Sequence, residues 1–318
     1  MSERLQKAQA IVQHILKLLP LPRRCPPGAR RTLGGPLFVG ISGPQGIGKT
    51  TITKDLVSTL ADAPHNLRVF SFSMDDLYLP FKQQEALSQR YPDNKLIEFR
   101  GLPGTHDIAL GTNTFQALYE ASRPQSSSTV VPVPVYDKAL HTGRGDQLPQ
   151  DQWPRAQGPF DVILFEGWSL GFKSVRDPKR LAEIYASSPQ YLTQHPFSSI
   201  EMVNHALEEY EREWYTYLDA FVHLSAPNIA TVFRWRAEQE EGLWSTRGTG
   251  MTKDQVRDFV ARFMPAYEVY LERLKQENLF KDVDAGGGGE GLASYQGRHL
   301  RINLNEDREM ISTVILDS

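Results

Sequence analysis

Residues 43–50 read Gly43-Pro44-Gln45-Gly46-Ile47-Gly48-Lys49-Thr50, the pattern G-x-x-x-x-G-K-[ST] with which a strand-to-helix turn wraps an anion. The apolar run Leu37-Phe38-Val39-Gly40-Ile41 precedes it and Thr51-Ile52-Thr53-Lys54-Asp55-Leu56-Val57 follows. The octet therefore joins a buried strand to a helix, the context that the pattern requires. Glycines at 43, 46 and 48 open backbone angles closed to other residues, so successive N–H groups can converge on phosphate oxygens at the positive end of the helix. Lys49 brings a mobile charge to the β- and γ-phosphates, and the Thr50 hydroxyl suits Mg²⁺. Together with Thr51, these residues predict a nucleoside-triphosphate site.

Around this turn, short apolar runs at 37–42, 68–73, 161–165, 219–224 and 299–304 alternate with helical stretches. The alternation predicts an α/β fold of the P-loop NTPase kind, three layers α/β/α with a mainly parallel central sheet. At 318 residues and 40% hydrophobic content, one large domain can bury such a core. Its expected parts are an N-terminal helix (3–19), a Pro-rich linker (20–36), a substrate-side insertion (about 76–158) and a lid region (about 233–252). Leu5, Ala8, Ile11, Val12, Ile15, Leu18 and Leu19 give the first helix one apolar stripe for docking. The insertion is rich in turn residues, with Pro124-Gln125-Ser126-Ser127-Ser128 and Pro132-Val133-Pro134, and reads as long and irregular. The run Gly286–Gly289 reads as a surface loop. Near the C-terminus, Thr252 to Gln255 forms a candidate capping box, an aromatic stripe from Phe259 to Tyr270 suits core packing, and Pro265 should kink or split that helix.

Composition narrows the partners. A net charge of −3 gives no basic field of the kind nucleic-acid binders carry. The only cysteine, Cys25, rules out an intrachain disulfide and suggests no zinc cluster. No apolar stretch nears the ~20 residues that span a bilayer. The expectation is a cytoplasmic protein without nucleic-acid or membrane partners, acting on a small molecule, as a monomer or a homodimer.

Ligands of parallel α/β sheets collect at the carboxyl ends of the strands. After the second strand stand Asp75 and Asp76; a carboxylate there can serve as the base beside an acceptor hydroxyl, for which Asp75 is the candidate, ligate Mg²⁺ or merely cap the next helix. Val162-Ile163-Leu164-Phe165-Glu166-Gly167 is an apolar strand ending in an acid, which suits a Mg²⁺ ligand, with Gly167 leaving room for ligand to approach the backbone. Tyr136, His141 and Arg144 share one loop of the insertion, and such a set suits a small anionic or polyhydroxylated acceptor; a mixed-polarity surface loop would look similar. Arg234 and Arg236 could close over phosphates, although residues two apart on a helix do not share a face. The guanine-reading pattern N-K-x-D is absent, since the one Asn-Lys pair continues Asn94-Lys95-Leu96-Ile97, which favours ATP over GTP.

Taken together, the segments 40–51 (GISGPQGIGKTT), 72–80 (FSMDDLYLP), 100–107 (RGLPGTHD), 133–146 (VPVYDKALHTGRGD), 165–168 (FEGW), 233–240 (FRWRAEQE) and 259–274 (FVARFMPAYEVYLERL) resemble the P-loop kinase group of uridine kinase, phosphoribulokinase and pantothenate kinase. The resemblance is closest to the D-glycerate 3-kinase family and its fungal ATP-dependent kinase relatives. It implies an ATP- and Mg²⁺-dependent transfer to a hydroxyl of a small metabolite, D-glycerate first. It also implies that Asp75 and Lys49 are catalytic with the lid arginines Arg234 and Arg236, and that Thr50, Asp75 and Glu166 surround Mg²⁺. Tyr78, Thr105, His106, Asp107, Tyr136, His141 and Arg144 would line the acceptor side. Leu102 departs from the small polar residue of the family pattern. A nucleoside, pantothenate or a sugar phosphate is the alternative acceptor, and a nucleotide-dependent assembly factor is the alternative class.

Overall fold

A computed structural model describes residues 3–21, 35–123, 129–188, 190–247, 250–281 and 296–317. The Cys25 linker, the Pro124–Ser128 run and Gly286–Gly289 lie outside them. In chain order the strands are β1 (Leu37–Ser42), β2 (Val69–Ser73), β3 (Val130–Pro132), β4 (Tyr136–Asp137), β5 (Asp146–Gln147), β6 (Arg155–Gln157), β7 (Val162–Gly167), β8 (Ala220–Ser225), β9 (His299–Leu304) and β10 (Met310–Leu316). The helices are α1 (Glu3–Leu18), α2 (Lys49–Ala61), α3 (Phe81–Arg90), α4 (Ile108–Ala121), α5 (Pro178–Ser187), α6 (Phe197–Glu213), α7 (Thr231–Arg247), α8 (Lys253–Ala261) and α9 (Met264–Gln276).

Six strands form the central sheet in the order β10-β9-β8-β1-β7-β2, parallel except for β10, which runs antiparallel to β9. β1, β7 and β8 are buried along their whole length, as strands covered on both faces must be. Their side chains alternate between two cores. Phe38, Ile163, Phe165 and Phe221 face a large cluster with Phe115 and Trp214. Val39, Ile41, Leu164 and Val222 face a second cluster with Ile11, Ile15 and Leu56 from α1 and α2. The three-layer α/β/α arrangement expected from the sequence is the one observed.

Each of the five expected strands is present within a residue or two of its expected bounds. β10 was not foreseen: it is an edge strand with mostly exposed side chains, so no buried apolar run announces it. α1 docks through Ala8, Ile11, Val12, Ile15 and Leu18, whereas Leu5, in the first turn, stays 53% exposed. The capping box at Thr252 and Gln255 forms, and Pro265 enters the first turn of α9, splitting the helix from α8 as its ring demands.

The insertion is more regular than its turn-rich composition suggests, for it holds α3, α4 and two small ribbons, β3–β6 and β4–β5. In α4 the segment Gly111-Thr112-Asn113-Thr114 has poor helix propensity, and tertiary packing overrides it. Asp107 caps the helix by accepting from the Leu110 N–H, Phe115 is fully buried, and the Trp214 indole lies flat on Gly111 while donating to the Ile108 carbonyl at 3.2 Å. A methyl at Gly111 would sit 2.5 and 2.6 Å from Trp214 Cε2 and Nε1. Gly→Ala inside an exposed helix gains ~1 kcal/mol. Here overpacking reverses the sign, and Gly111→Ala is expected to lower stability by about 1–3 kcal/mol, read as a lower midpoint in urea unfolding; a raised midpoint would show that Trp214 moves aside freely.

Candidate active site

Parallel pairing brings three chemistry-bearing strand ends together. Ile41 of β1 and Ser73 of β2 both stand in register with Glu166 of β7. The loop after β1, the acid at the end of β7 and the turn after β2 therefore share one edge, as the strand-end rule requires.

Gly46 and Gly48 take left-handed φ values of +79° and +99°, which point neighbouring amides to one side. Gly48 is the N-cap of α2 and offers no side-chain cap, so the first amides of that helix are open to an anion. At Gly46 a Cβ would lie 2.7 Å from Trp235 Cβ; only glycine lets α7 approach the loop. Lys49 Nζ donates to the Gly43 and Pro44 carbonyls at 2.7 and 3.1 Å. Burial lowers its proton affinity while Glu166 and Asp75 pull the other way. A cavity of about 660 Å³ opens over the loop, bounded by Lys49, Thr50, Thr51, Trp235, Glu238 and Arg308, a size that suits a nucleotide (ligand pockets span roughly 300–1,000 Å³). The remaining loop residues serve by backbone: Ile47 buries its side chain, and Gln45 is held by Tyr267, whose hydroxyl donates to the Gln45 amide oxygen and accepts from its N–H at 3.3 Å.

The Thr50 hydroxyl donates to Glu166 Oε1 at 3.0 Å. Burial pushes the Glu166 carboxyl up, with Lys49 opposing. Hard oxygen donors around a carboxylate short of counter-charge fit Mg²⁺, and the open helix amides beside Lys49 fit a triphosphate. The expectation that Gly167 admits ligand is corrected: Met74 fills that space, with Sδ 2.8 Å from where a Cβ would stand.

Asp75 follows β2, and 31% of its side chain remains exposed. Lys138 Nζ lies 2.5 Å from Oδ2, and the Tyr78 hydroxyl donates to Oδ1 at 2.9 Å. Burial alone would raise this carboxyl, but Lys138 and the Tyr78 hydroxyl outweigh it and hold it below the usual carboxylate range. Asp76 accepts from the Tyr136 N–H at 3.2 Å, and burial pushes it up to about 6. Both acids thus touch the insertion, Asp75 through Lys138 and Tyr78 and Asp76 through Tyr136.

On the acceptor side, Tyr78 stacks on His106 at 4.3 Å. His106 Nδ1 meets the Tyr210 hydroxyl at 2.7 Å, and burial lowers its ring to about 3, so it is neutral. Thr105 is fully buried and ties the turn through Leu102 and Gly101, while Asp107 is spent as the α4 cap. Tyr136 packs edge-on against Tyr78 at 5.5 Å. His141 stacks on Phe81 and bonds Asp146 at 3.0 Å. Arg144 lies over Phe81 and 3.5 Å from Glu85. Of the seven expected acceptor residues, Tyr78 and His106 gather around Asp75, with Tyr136 packed on Tyr78; Thr105 and Asp107 build the turn, and His141 and Arg144 are engaged in its supporting loop.

The two α7 arginines point apart, as a two-residue helical spacing requires. Arg234 holds the Glu306 carbonyl and Asp307 at 3.3 Å, and Arg236 holds Gln239 at 2.7 Å and Glu240. In this arrangement neither faces the phosphate loop, and the α7 residue that meets it is Trp235, between them. Sequence reasoning missed Lys138, Trp235 and Arg308. Arg308 Nε donates to the Gly46 carbonyl at 2.7 Å from a turn with no recognisable pattern. Lys138 sits within the quoted 133–146 segment, beside the tyrosine and aspartate of β4.

Lys138→Met removes the largest influence that holds Asp75 down and leaves burial opposed by the Tyr78 hydroxyl and His106. Followed by carbon-13 NMR of the labelled carboxyl, Asp75 is expected to titrate below the usual carboxylate range in the parent protein and distinctly higher in the variant. An unmoved titration would assign its depression to another group.

No protein-family model matches the chain. Among curated proteins it is 36% identical over 276 residues to the chloroplastic D-glycerate 3-kinase of Arabidopsis thaliana, covering 87% of this chain and 54% of that one; the chain spans about half the length of that relative. It is 34% identical over 273 residues to the uncharacterized kinase mug58 of Schizosaccharomyces pombe, covering 85% and 91%. Among solved structures, a D-glycerate 3-kinase from Cryptococcus neoformans var. grubii superimposes with a TM-score of 0.82 at 30% identity, covering 98% of this chain and 99% of that one. With the phosphate loop, the acid at the end of β7 and the parallel sheet in place, the chain belongs to the D-glycerate 3-kinase family of P-loop kinases, together with its fungal kinase relatives.

Proposed function

We propose that the protein transfers the γ-phosphoryl group of ATP to a hydroxyl of a small hydroxy acid, D-glycerate. The observation that carries this reading is the ionised, partly exposed Asp75 at the end of β2, beside the Thr50–Glu166 pair. The names of two relatives support glycerate as the acceptor.

Bound Mg²⁺ would neutralise phosphate charge and orient the triphosphate, with Thr50 and Glu166 as its nearest protein groups and Asp75 within the same cluster. The loop amides and Lys49 hold the phosphates. Asp75 accepts a hydrogen bond from the acceptor hydroxyl and aims its oxygen. A carboxylate held below its ordinary range is a weak base, so its work is orientation, and it takes the proton late, when the oxygen has given up its electron pair to phosphorus. Neutral His106 and Tyr78 pack behind it and keep that carboxylate fixed. Positioning and electrostatics then supply most of the rate. Arg234 and Arg236 would reach the phosphates only after α7 gives up the contacts described above, which is the movement a closing lid makes.

A coupled ADP-release assay with D-glycerate, uridine, pantothenate and ribulose 5-phosphate tests the acceptor. D-glycerate is expected to stimulate ATP turnover; stimulation by another compound in the panel but not by glycerate would overturn the substrate. Asp75→Asn is expected to lower kcat by ~10²–10⁴-fold with ATP binding retained, and full activity in that variant would remove Asp75 from its role.

A further inference from the structure

The turn between α8 and α9 carries an arginine that the site described above does not use. Arg262 lies between three aromatic rings, with its guanidinium carbon 5.1 Å from the centre of Phe99, 5.4 Å from Phe259 and 5.8 Å from Phe263. Among the described residues it has no hydrogen-bond acceptor and no ion-pair partner. The side chain is half-buried, yet none of its nitrogens is cut off from solvent, so its five donors are held by water and can be passed to an acceptor. Its surroundings disfavour the charge in part: burial and the neighbouring Arg100 both lower its proton affinity, while Glu98 and Tyr78 raise it.

Ring contacts place it. Arg262 and Arg144 lie over the same Phe99 ring, at 5.1 and 5.6 Å; the next residue, Arg100, lies over Tyr136 at 5.5 Å, and Tyr136 packs on Tyr78, which donates to Asp75. Arg262 therefore belongs to the insertion side, and it does not line the cavity over the phosphate loop. Phe263 packs on Trp168 at 5.0 Å, and Trp168 Nε1 donates to the Gly101 carbonyl at 3.1 Å; the start of α9, the end of β7 and the 100–104 turn thus form one rigid wall. The other cations here are occupied. Arg100 donates to the Gly143 carbonyl at 2.9 Å and to the Arg144 carbonyl, Lys138 is on Asp75 and Arg144 is on Glu85. Rings on three sides restrict the guanidinium, and a restricted fork of donors suits bidentate contact with a carboxylate.

We propose that Arg262 is the specificity residue that binds the acceptor's carboxylate, holding the acid end of the substrate while Asp75 holds its hydroxyl. The inference rests on the kinase reading above but not on glycerate itself: it requires any acceptor of this site to carry an anionic group near the reacting hydroxyl.

The test compares D-glycerate with its neutral amide, glyceramide, in the ADP-release assay, for the parent protein, Arg262→Lys and Arg262→Gln. The parent is expected to prefer the acid. Arg262→Gln is expected to lose about a hundred-fold in kcat/KM for the acid, mainly through KM, as loss of a charged hydrogen-bond pair implies. Turnover of the amide should change by less than about three-fold on the same scale, and the KM for ATP should stay in place. Arg262→Lys, which keeps the charge without the fork, should fall between. Equal losses for acid and amide, or none for either, would overturn the proposal. If Arg262→Gln loses thermal stability as well, the comparison is decided on Arg262→Lys. If glycerate is not turned over but another acceptor is, the substrate reading fails alone, and the same variants are compared on that acceptor; an acceptor without an anionic group would sink the Arg262 proposal too. If no acceptor supports turnover, calorimetric binding of D-glycerate to parent protein loaded with a non-hydrolysable ATP analogue, lost in Arg262→Gln, would support it, and no binding or equal binding would overturn it.

Discussion

The register of three parallel strands governs everything else in this molecule. Because Ile41 and Ser73 both lie opposite Glu166, the loop after β1, the acid of β7 and the turn after β2 emerge at one level. A slip of one residue would turn every side chain of a strand to the other face, moving Phe38 and Phe165 out of one core and Val39 and Leu164 out of the other. Each buried side chain of this kind is worth roughly 1.5–3 kcal/mol, so the cores enforce the register and the register assembles the site. The chemistry at the strand ends contributes little to that choice; it inherits the positions that packing dictates.

What gathers at the strand ends is a set of charges none of which is stable alone. Lys49, Glu166, Asp75 and Lys138 alternate in sign; Lys49 and Glu166 each feel the other three, and Asp75 and Lys138 feel each other. Removing one leaves its neighbour partly dehydrated and uncompensated, which costs more than the pair itself contributes. Lys49 is met by the Gly43 and Pro44 carbonyls as well as by the two carboxylates.

How much of this can be read from the chain depends on distance along it. The phosphate loop is local: eight consecutive residues carry their own geometry, and the flanking strand and helix confirm it. Asp75 and Glu166 are legible through a rule about strand ends, once the strands are recognised. Lys138, Arg262, Trp235 and Arg308 carry no local signal, because their places are set by where a ribbon, an interhelical turn, a helix and a hairpin happen to pack. Arg144 illustrates the reverse: its residue type suited an anion, yet Phe81 and Glu85 engage it. α4 was hidden because Gly111, Thr112 and Asn113 favour turns, and only Trp214, a hundred residues away, explains the glycine.

The two sides of the cleft are built from different parts of the chain, and this bears on how such a protein can change. The nucleotide side is closed by the beginning and the end together: Arg4 pairs with Asp55 of α2, Lys7 bonds the Arg308 carbonyl, and Arg308 reaches both the Gly46 carbonyl and Glu238. Any alteration there disturbs α1, α2, α7 and the β9–β10 hairpin at once. The acceptor side is drawn from the 76–158 insertion and the α8–α9 turn, which rest on the sheet without forming its register. Residues facing the acceptor can therefore vary while the phosphate loop stays as it is, so one phosphate-handling core can serve acceptors of different shape.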